Sequence, residues 1–212
     1  SPTATSWGTS SAEGYLAEIA ADSSNRVSTV YESEADKVVA GVRATAKLSD
    51  QKVERIKVTL KQVNTTTASA NLGKYITSVS IWNGSSKLAT MSVADADRSN
   101  TDDTYTFNFT GLNGIIAKDQ IGRFYASVNA NGSLDSNDAT YASVTVKIEE
   151  VRATSPNGVY TTSGSAGSPL VTQTGLSFGK FAANGVKAEI GLATSNPSSA
   201  TITVNENSNT NN

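Results

Sequence analysis

The 212-residue chain contains no histidine and no cysteine, one methionine, two tryptophans and four prolines. Without histidine it lacks the commonest general base and the commonest metal ligand, and a Ser–His–Asp triad is excluded outright. Without cysteine it has no thiol nucleophile, no thiolate-bound zinc or iron–sulfur cluster, and no disulfide. That absence fits the cytosol and equally a prokaryotic cell surface, so it leaves the compartment open. Charge is sparse as well: 17 Lys+Arg against 19 Asp+Glu leave a net −2, which gives no electrostatic footprint for nucleic acid. No apolar run approaches the roughly 20 residues that span a bilayer, so no membrane insertion is expected. Hydrophobic residues make up 37%, against about 45–50% in soluble proteins on a scale that also counts glycine. In their place stand 55 Ser or Thr, 18 Asn and 16 Gly, a composition suited to sheets with one wet face.

What is present has a period of two. Residues 1–14 (SPTATSWGTSSAEG) are small and polar and read as a flexible leader. Beyond them, Val38, Ala40, Val42, Ala44, Ala46 and Leu48 alternate with a second set of residues. Ile56, Val58 and Leu60 alternate with lysines and threonine. Tyr105, Phe107 and Phe109 share a face, as do Phe124, Ala126, Val128 and Ala130, and then Val144, Val146 and Ile148. Each run reads as a half-buried strand. Turn chemistry separates the runs at Ser49-Asp50, Asn83-Gly84, Asn113-Gly114, Asn131-Gly132 and Pro156-Asn157-Gly158. SVSIWNGSSKLATMSV predicts a hairpin about Asn83-Gly84. Helical patterning is nearly absent; residues 15–22 are the best candidate, and they also fit a strand. Many short strands with polar turns predict an all-β sandwich over 15–155.

The end of the chain differs. Charge is dense over 32–61, whereas 153–212 carries only Lys180, Lys187, Glu189 and Glu206. Ala17-Glu18-Ile19 followed by Ser24-Asn25 recurs with the same spacing as Ala188-Glu189-Ile190 followed by Ser195-Asn196. The repeat makes 156–212 a strand-forming extension, the beginning of a second module. Its apolar positions Val186, Ala188, Ile190, Ile202 and Val204 are the expected assembly strand, pairing with the same sandwich or with a neighbouring subunit. NENSNTNN reads as a solvated tail.

Catalytic near-matches each lack a required partner. GLSFGK has its glycines one residue too close for a phosphate loop and Phe181 where a hydroxyl must stand; it reads as a hairpin turn. S-x-x-K occurs at Ser49 and Ser177 without the accompanying K-T-G or S-D-N elements. Glu149 and Glu150 are adjacent, which on a regular strand sends them to opposite faces, and Glu32 and Glu34 share a face that reads as solvated. The strand lysines Lys47, Lys57, Lys61 and Lys147 fall on the polar face, away from any buried acid.

One local cluster points to a cation. Asp95, Asp97, Ser99, Asp102 and Asp103 open like the first half of a calcium loop, with Asn100 at the glycine position and Thr106 where a bidentate Glu belongs. Calcium is the one cofactor this pattern suggests, and Asp135-Ser-Asn137-Asp138 is a poorer version of it. Glycosylation sequons occur at Asn64, Asn83, Asn108 and Asn131. Trp7, Trp82, Tyr31, Tyr75, Tyr125, Tyr141 and Tyr160 are candidates for an exposed sugar-stacking platform.

Taken together, the VVAGV strand, the SVSIWNGSSKLATMSV hairpin, the FNFTGLNGIIAKDQIGRFYASVNA segment and the closing SVTVKIEEVRAT resemble the immunoglobulin-like β-sandwich modules of prokaryotic surface-layer, filament and adhesin proteins. The resemblance covers 15–155 and part of the rest. It implies an antiparallel immunoglobulin-like sandwich, an extracellular cell-surface location and no catalytic residues. The expected function is a structural subunit of a filament or surface layer whose partner is another copy of itself. The alternative is an adhesive or carbohydrate-binding module that contacts surface glycans.

Overall fold

Alternating side chains can bury one face of a strand only if a second sheet covers it, and the chain meets this demand with two sheets. The computed structural model describes residues 13–180. Its strands are β1 (Tyr15–Ala21), β2 (Thr29–Tyr31), β3 (Lys37–Lys47), β4 (Gln51–Gln62), β5 (Ile76–Asn83), β6 (Ser86–Ser92) and β7 (Asp97–Arg98). They continue as β8 (Tyr105–Phe109), β9 (Gly114–Ile116), β10 (Ile121–Ala130), β11 (Val144–Thr154), β12 (Tyr160–Gly164) and β13 (Val171–Gly179), with one helix, α1 (Ser136–Tyr141). Sheet I runs β1-β3-β10-β5-β6; sheet II runs β2-β13-β11-β4-β8-β7, with β12 on β11 and β9 on β4. The protein is an all-β sandwich.

The core follows from register. In sheet II, Phe107 pairs with Val58, Val58 with Ile148, and Ile148 with Val171, so one apolar row crosses four strands. In sheet I, Ala126 stands between Ala40 and Ile81, and Val128 faces Val79. These residues belong to one buried cluster. The hairpin turns where expected: Asn83 pairs with Ser86, leaving a two-residue loop led by Gly84 at φ 58°, as a tight hairpin requires.

Several sequence expectations shift, mostly because bulges break strict alternation. Residues 15–21 form an edge strand rather than a helix, interrupted between Ala17 and Ala20 with Glu18 at φ 53°. The β3–β10 register slips at Val39, so Val39 is buried while Val38 is only half-buried. Leu48 leaves the buried row altogether; it occupies the β3–β4 turn at φ 68° and is 57% exposed. GLSFGK lies in β13 rather than in a turn, with Gly175 (φ 74°) at a register shift against β11. Gly14, placed in the leader by sequence, is buried: its carbonyl accepts a hydrogen bond from the Ser155 hydroxyl at 3.1 Å.

The sandwich also continues past 155. β12 and β13 both pair with β11, and β13 pairs in parallel with β2. Val171, Leu176 and Phe178 are buried, and the Phe178 ring packs on Tyr75 at 5.3 Å. Residues 156–180 are therefore part of the sandwich, not of an extension. The expected assembly strand (Val186, Ala188, Ile190, Ile202, Val204) and Trp7 lie outside the described residues.

The outer face of sheet I carries a buried acid. Asp22, 5% exposed, accepts hydrogen bonds from the Ser24 amide (2.9 Å) and the Tyr125 hydroxyl (3.2 Å), and forms an ion pair with Arg123. Its backbone is tied in as well, the Asp22 amide donating to the Gly41 carbonyl at 2.8 Å. A Cβ on Gly41 would stand 2.6 Å from the Asp22 carbonyl and 2.7 Å from the Tyr125 ring, so only glycine fits there. Burial pushes the Asp22 carboxyl up, but the bonds from Ser24, Arg123 and Tyr125 outweigh it and hold the pKa at about 2.

Two predictions follow from this packing. Phe178→Ala should cost about 3–4 kcal/mol, read as a lower urea midpoint; a change within 0.5 kcal/mol (about the noise of a surface substitution) would place β13 outside the core. A folded pKa below the unfolded one makes Asp22 stabilising above about pH 4, with that stability lost as pH falls toward 2. Asp22→Asn should remove roughly 1–2 kcal/mol near pH 7, the half-exposed Arg123 limiting the gain, and should flatten the acid limb of a stability–pH series.

Candidate functional site

The outer face of sheet II forms a groove of about 530 Å³, open to solvent. β4 contributes Lys57, Thr59 and Lys61 to its floor, β11 contributes Thr145, Lys147 and Glu149, and β8 contributes Thr106. One wall is the β7–β8 loop with Ser99, Asp102 and Thr104; Ala166 from the β12–β13 loop stands on the margin. Lys57, Thr59 and Lys61, at alternate positions of β4, point outward because Ile56, Val58 and Leu60 point inward. Thr59 pairs with Lys147 and Lys61 with Thr145, so the three lysines and Thr59 share the groove floor.

Bulges place the acids. Adjacent Glu149 and Glu150 do not take opposite faces as a regular strand requires, because the β4–β11 register shifts between Ile148 and Glu150. Glu149 pairs with Lys57 at 3.5 Å and accepts from the Thr59 hydroxyl at 3.2 Å, while Glu150 pairs with Arg55. Both carboxylates therefore meet cations from β4. Lys61 pairs with Asp102 at 3.1 Å, both side chains about half exposed. Hydrogen bonds from Ser99 and Thr104, with the Lys61 ammonium, hold the Asp102 carboxyl well below the usual carboxylate range. Lys147 is half-buried, and among the described residues no carboxylate lies within ion-pair distance of it.

The predicted calcium ligands are placed as follows. Asp95 lies in a short 3-10 turn, where its carboxylate accepts from the Ser92 hydroxyl at 2.7 Å. Asp97 is exposed on β7. Ser99 shapes the loop, its hydroxyl accepting from the Thr101 and Asp102 amides. Asp103, at φ 56°, takes two bonds from Arg98, at 2.7 and 3.1 Å. The acids are thus divided among Ser92, Lys61 and Arg98, and among the described residues no set of three or more acidic side chains comes together as a metal-binding group. The poorer candidate is a helix cap: Asp135 accepts from the Asn137 and Asp138 amides at the start of α1, and Asp138 accepts from the Ser69 amide and pairs with Lys74.

The aromatic platform is dispersed. Tyr75 is fully buried and Tyr125 is 7% exposed, where sequence placed both at the surface. Burial and the nearby Asp138 charge push the Tyr75 phenol up to about 12. Trp82 is half-buried on sheet I, donating to the Ser127 hydroxyl at 2.8 Å with the Lys87 ammonium over its ring at 4.8 Å. Tyr31, Tyr141 and Tyr160 are exposed, but on β2, α1 and β12. Glu32 and Glu34 fall in a turn rather than on a strand face; both are half-buried, and Glu32 accepts from the Leu134 amide at 3.2 Å. Sequence reasoning found the groove lysines as a polar face and missed the groove, because its floor joins β4 to β11, which are distant in sequence, and one wall comes from the β7–β8 loop.

A second surface is an open strand edge. Among the described residues β6 pairs only with β5. Its Leu88, Ala89 and Met91 are partly buried against the core, and from Ala89 to Ser92 it carries no charge. The other sheet ends are less open: β1 is broken by its bulge, β2 has three residues and β7 has two.

No family model matches the chain, and no curated protein matches it. Among solved structures, AvmM, which catalyses macrocyclization in alchivemycin A biosynthesis, is 4% identical with a TM-score of 0.33, over 71% of this chain and 87% of that one. A dockerin–cohesin complex chain is 13% identical with a TM-score of 0.25, over 66% and 89%. Likenesses this distant carry no functional argument.

Proposed function

We propose that the protein is a structural subunit of an extracellular filament or surface layer, self-assembling through β-strand contacts. One observation carries the reading: apolar side chains of β6 (Leu88, Ala89 and Met91) are only partly covered along an edge that has a neighbour on one side. A strand from a second copy laid along β6 pairs the free backbone groups and completes the burial. The sequence of 182–212 suits that donor, with Val186, Ala188, Ile190, Ile202 and Val204 in a nearly uncharged stretch. The reading extends the resemblance to immunoglobulin-like modules of prokaryotic surfaces, and the chain's Ser, Thr and Asn richness accords with it.

The test compares three proteins by light scattering and electron microscopy. The full chain should form filaments or lattices. A chain ending at Lys180 should keep its β-type circular dichroism and stay monomeric. Thr90→Lys puts a charge at an exposed position of β6 and should raise the concentration needed for assembly about tenfold, equal to about 1.4 kcal/mol. Polymerisation of the truncated chain at the full chain's concentration would refute strand donation.

A further inference from the structure

We infer that the groove on sheet II is a binding site for an acidic glycan, a sugar chain bearing carboxylates, with Lys147 as its main anion contact. Three lysines converge there against two carboxylates, so the groove is locally positive in a chain of net −2. Lys57 and Lys61 each have an acid within 3.5 Å, whereas among the described residues Lys147 has none. It pairs in register with Thr59, whose hydroxyl donates to Glu149. A ligand carboxylate placed over Lys147 gains a charge-assisted hydrogen bond without displacing a protein partner.

The rest of the lining selects among anions. Thr106 and Thr145 present hydroxyls, each both donor and acceptor, and Thr104, whose hydroxyl donates to Asp102 at 2.7 Å, offers an acceptor, as a polyhydroxylated chain demands. Among the described residues no aromatic ring lines the groove, which disfavours stacking on a neutral sugar as the mode of binding. The floor strands β4 and β11 are paired on both sides, so an acidic peptide finds no free backbone edge to join. The volume of about 530 Å³ lies within the roughly 300–1,000 Å³ of small-ligand sites. Because the site lies on sheet II and the proposed assembly edge on sheet I, either proposal can fail without the other.

Titration calorimetry of the full chain with short oligogalacturonate at low salt tests the inference, together with amide shifts in nuclear magnetic resonance. Binding should weaken as salt rises, and the largest shifts should fall on Thr59, Thr106, Thr145 and Lys147. Lys147→Gln should weaken binding about fivefold, the size expected of a charge-assisted contact at a part-exposed site, while Lys147→Arg retains it and Lys47→Gln, on sheet I, leaves it unchanged. If Lys147→Gln fails to fold, the shift map of the unsubstituted protein decides. Absence of binding, shifts spread away from the groove, equal affinity for the reduced neutral oligosaccharide, or equal affinity for poly-glutamate would each overturn it.

Discussion

Pairing between β4 and β11 is the constraint on which both the core and the groove depend. The two strands run antiparallel through the middle of sheet II, from the Gln62–Val144 pair to the Lys52–Thr154 pair. Their inward rows contain Val53, Ile56, Val58 and Leu60 on one side, and Val144, Val146, Ile148, Val151 and Ala153 on the other, all buried. Side chains alternate strictly on a regular strand, so a slip of one residue turns Lys57 and Lys61 toward the core and Val58 toward water. Burying unpaired ammonium groups costs several kcal/mol each, which makes this register close to obligatory. The groove lysines are thus placed by the same apolar alternation that builds the core.

Two bulges modulate that pairing. One leaves Glu149 unpaired in β11; the other lies where Arg152 faces Arg55 but Ala153 faces Val53, leaving Glu54 unpaired in β4. An extra residue lets neighbours share a face. Glu149 and Glu150 consequently meet Lys57 and Arg55, and Lys52 pairs with Glu54 at 2.8 Å. The outward face becomes a ladder of ion pairs rather than alternating stripes of one sign. Without the β11 bulge the Val144–Val146–Ile148 alternation would carry Glu150 to the core, and Arg55 would lose its carboxylate.

The sequence made the strands legible and left their exceptions hidden. Rows such as Tyr105–Phe107–Phe109 and Val144–Val146–Ile148 declare themselves because a period of two has one structural meaning. Val39 and Glu150 escape this reading because a bulge is decided by the partner strand, which local sequence does not name, and Leu48 escapes it because the β3–β4 turn takes it out of the strand. Tyr125 sits on the outer face of a strand, yet it is buried there with its hydroxyl on Asp22 and Trp82 as its partner in register. β13 was assigned to an extension because its charge is low. Low charge there reflects burial, as Phe178 and Leu176 show, and not a partner outside the sandwich. The acidic run at 95–103 opens like a cation loop, and spacing along the chain does not reveal that Asp102 meets Lys61 and Asp103 meets Arg98.

Charge in this molecule works in two regimes, separated by exposure. Asp22 is enclosed, three residues (Ser24, Arg123 and Tyr125) hold its carboxylate in the ionised form, and its amide bonds Gly41, so it acts as a fixed clamp between β1, β3 and β10. The Lys61–Asp102 pair is half in water, where such a pair is worth about 1 kcal/mol or less. A weak pair is a poor staple but an exchangeable one: an incoming carboxylate can take the place of Asp102 at little cost to the fold. Lys147 needs no exchange, since no carboxylate among the described residues holds it. The same sandwich therefore keeps its strong electrostatics where strands must stay together and its weak electrostatics on the face open to a ligand. Substitutions at the exposed Lys61–Asp102 pair should accordingly cost the fold less than changes at Asp22.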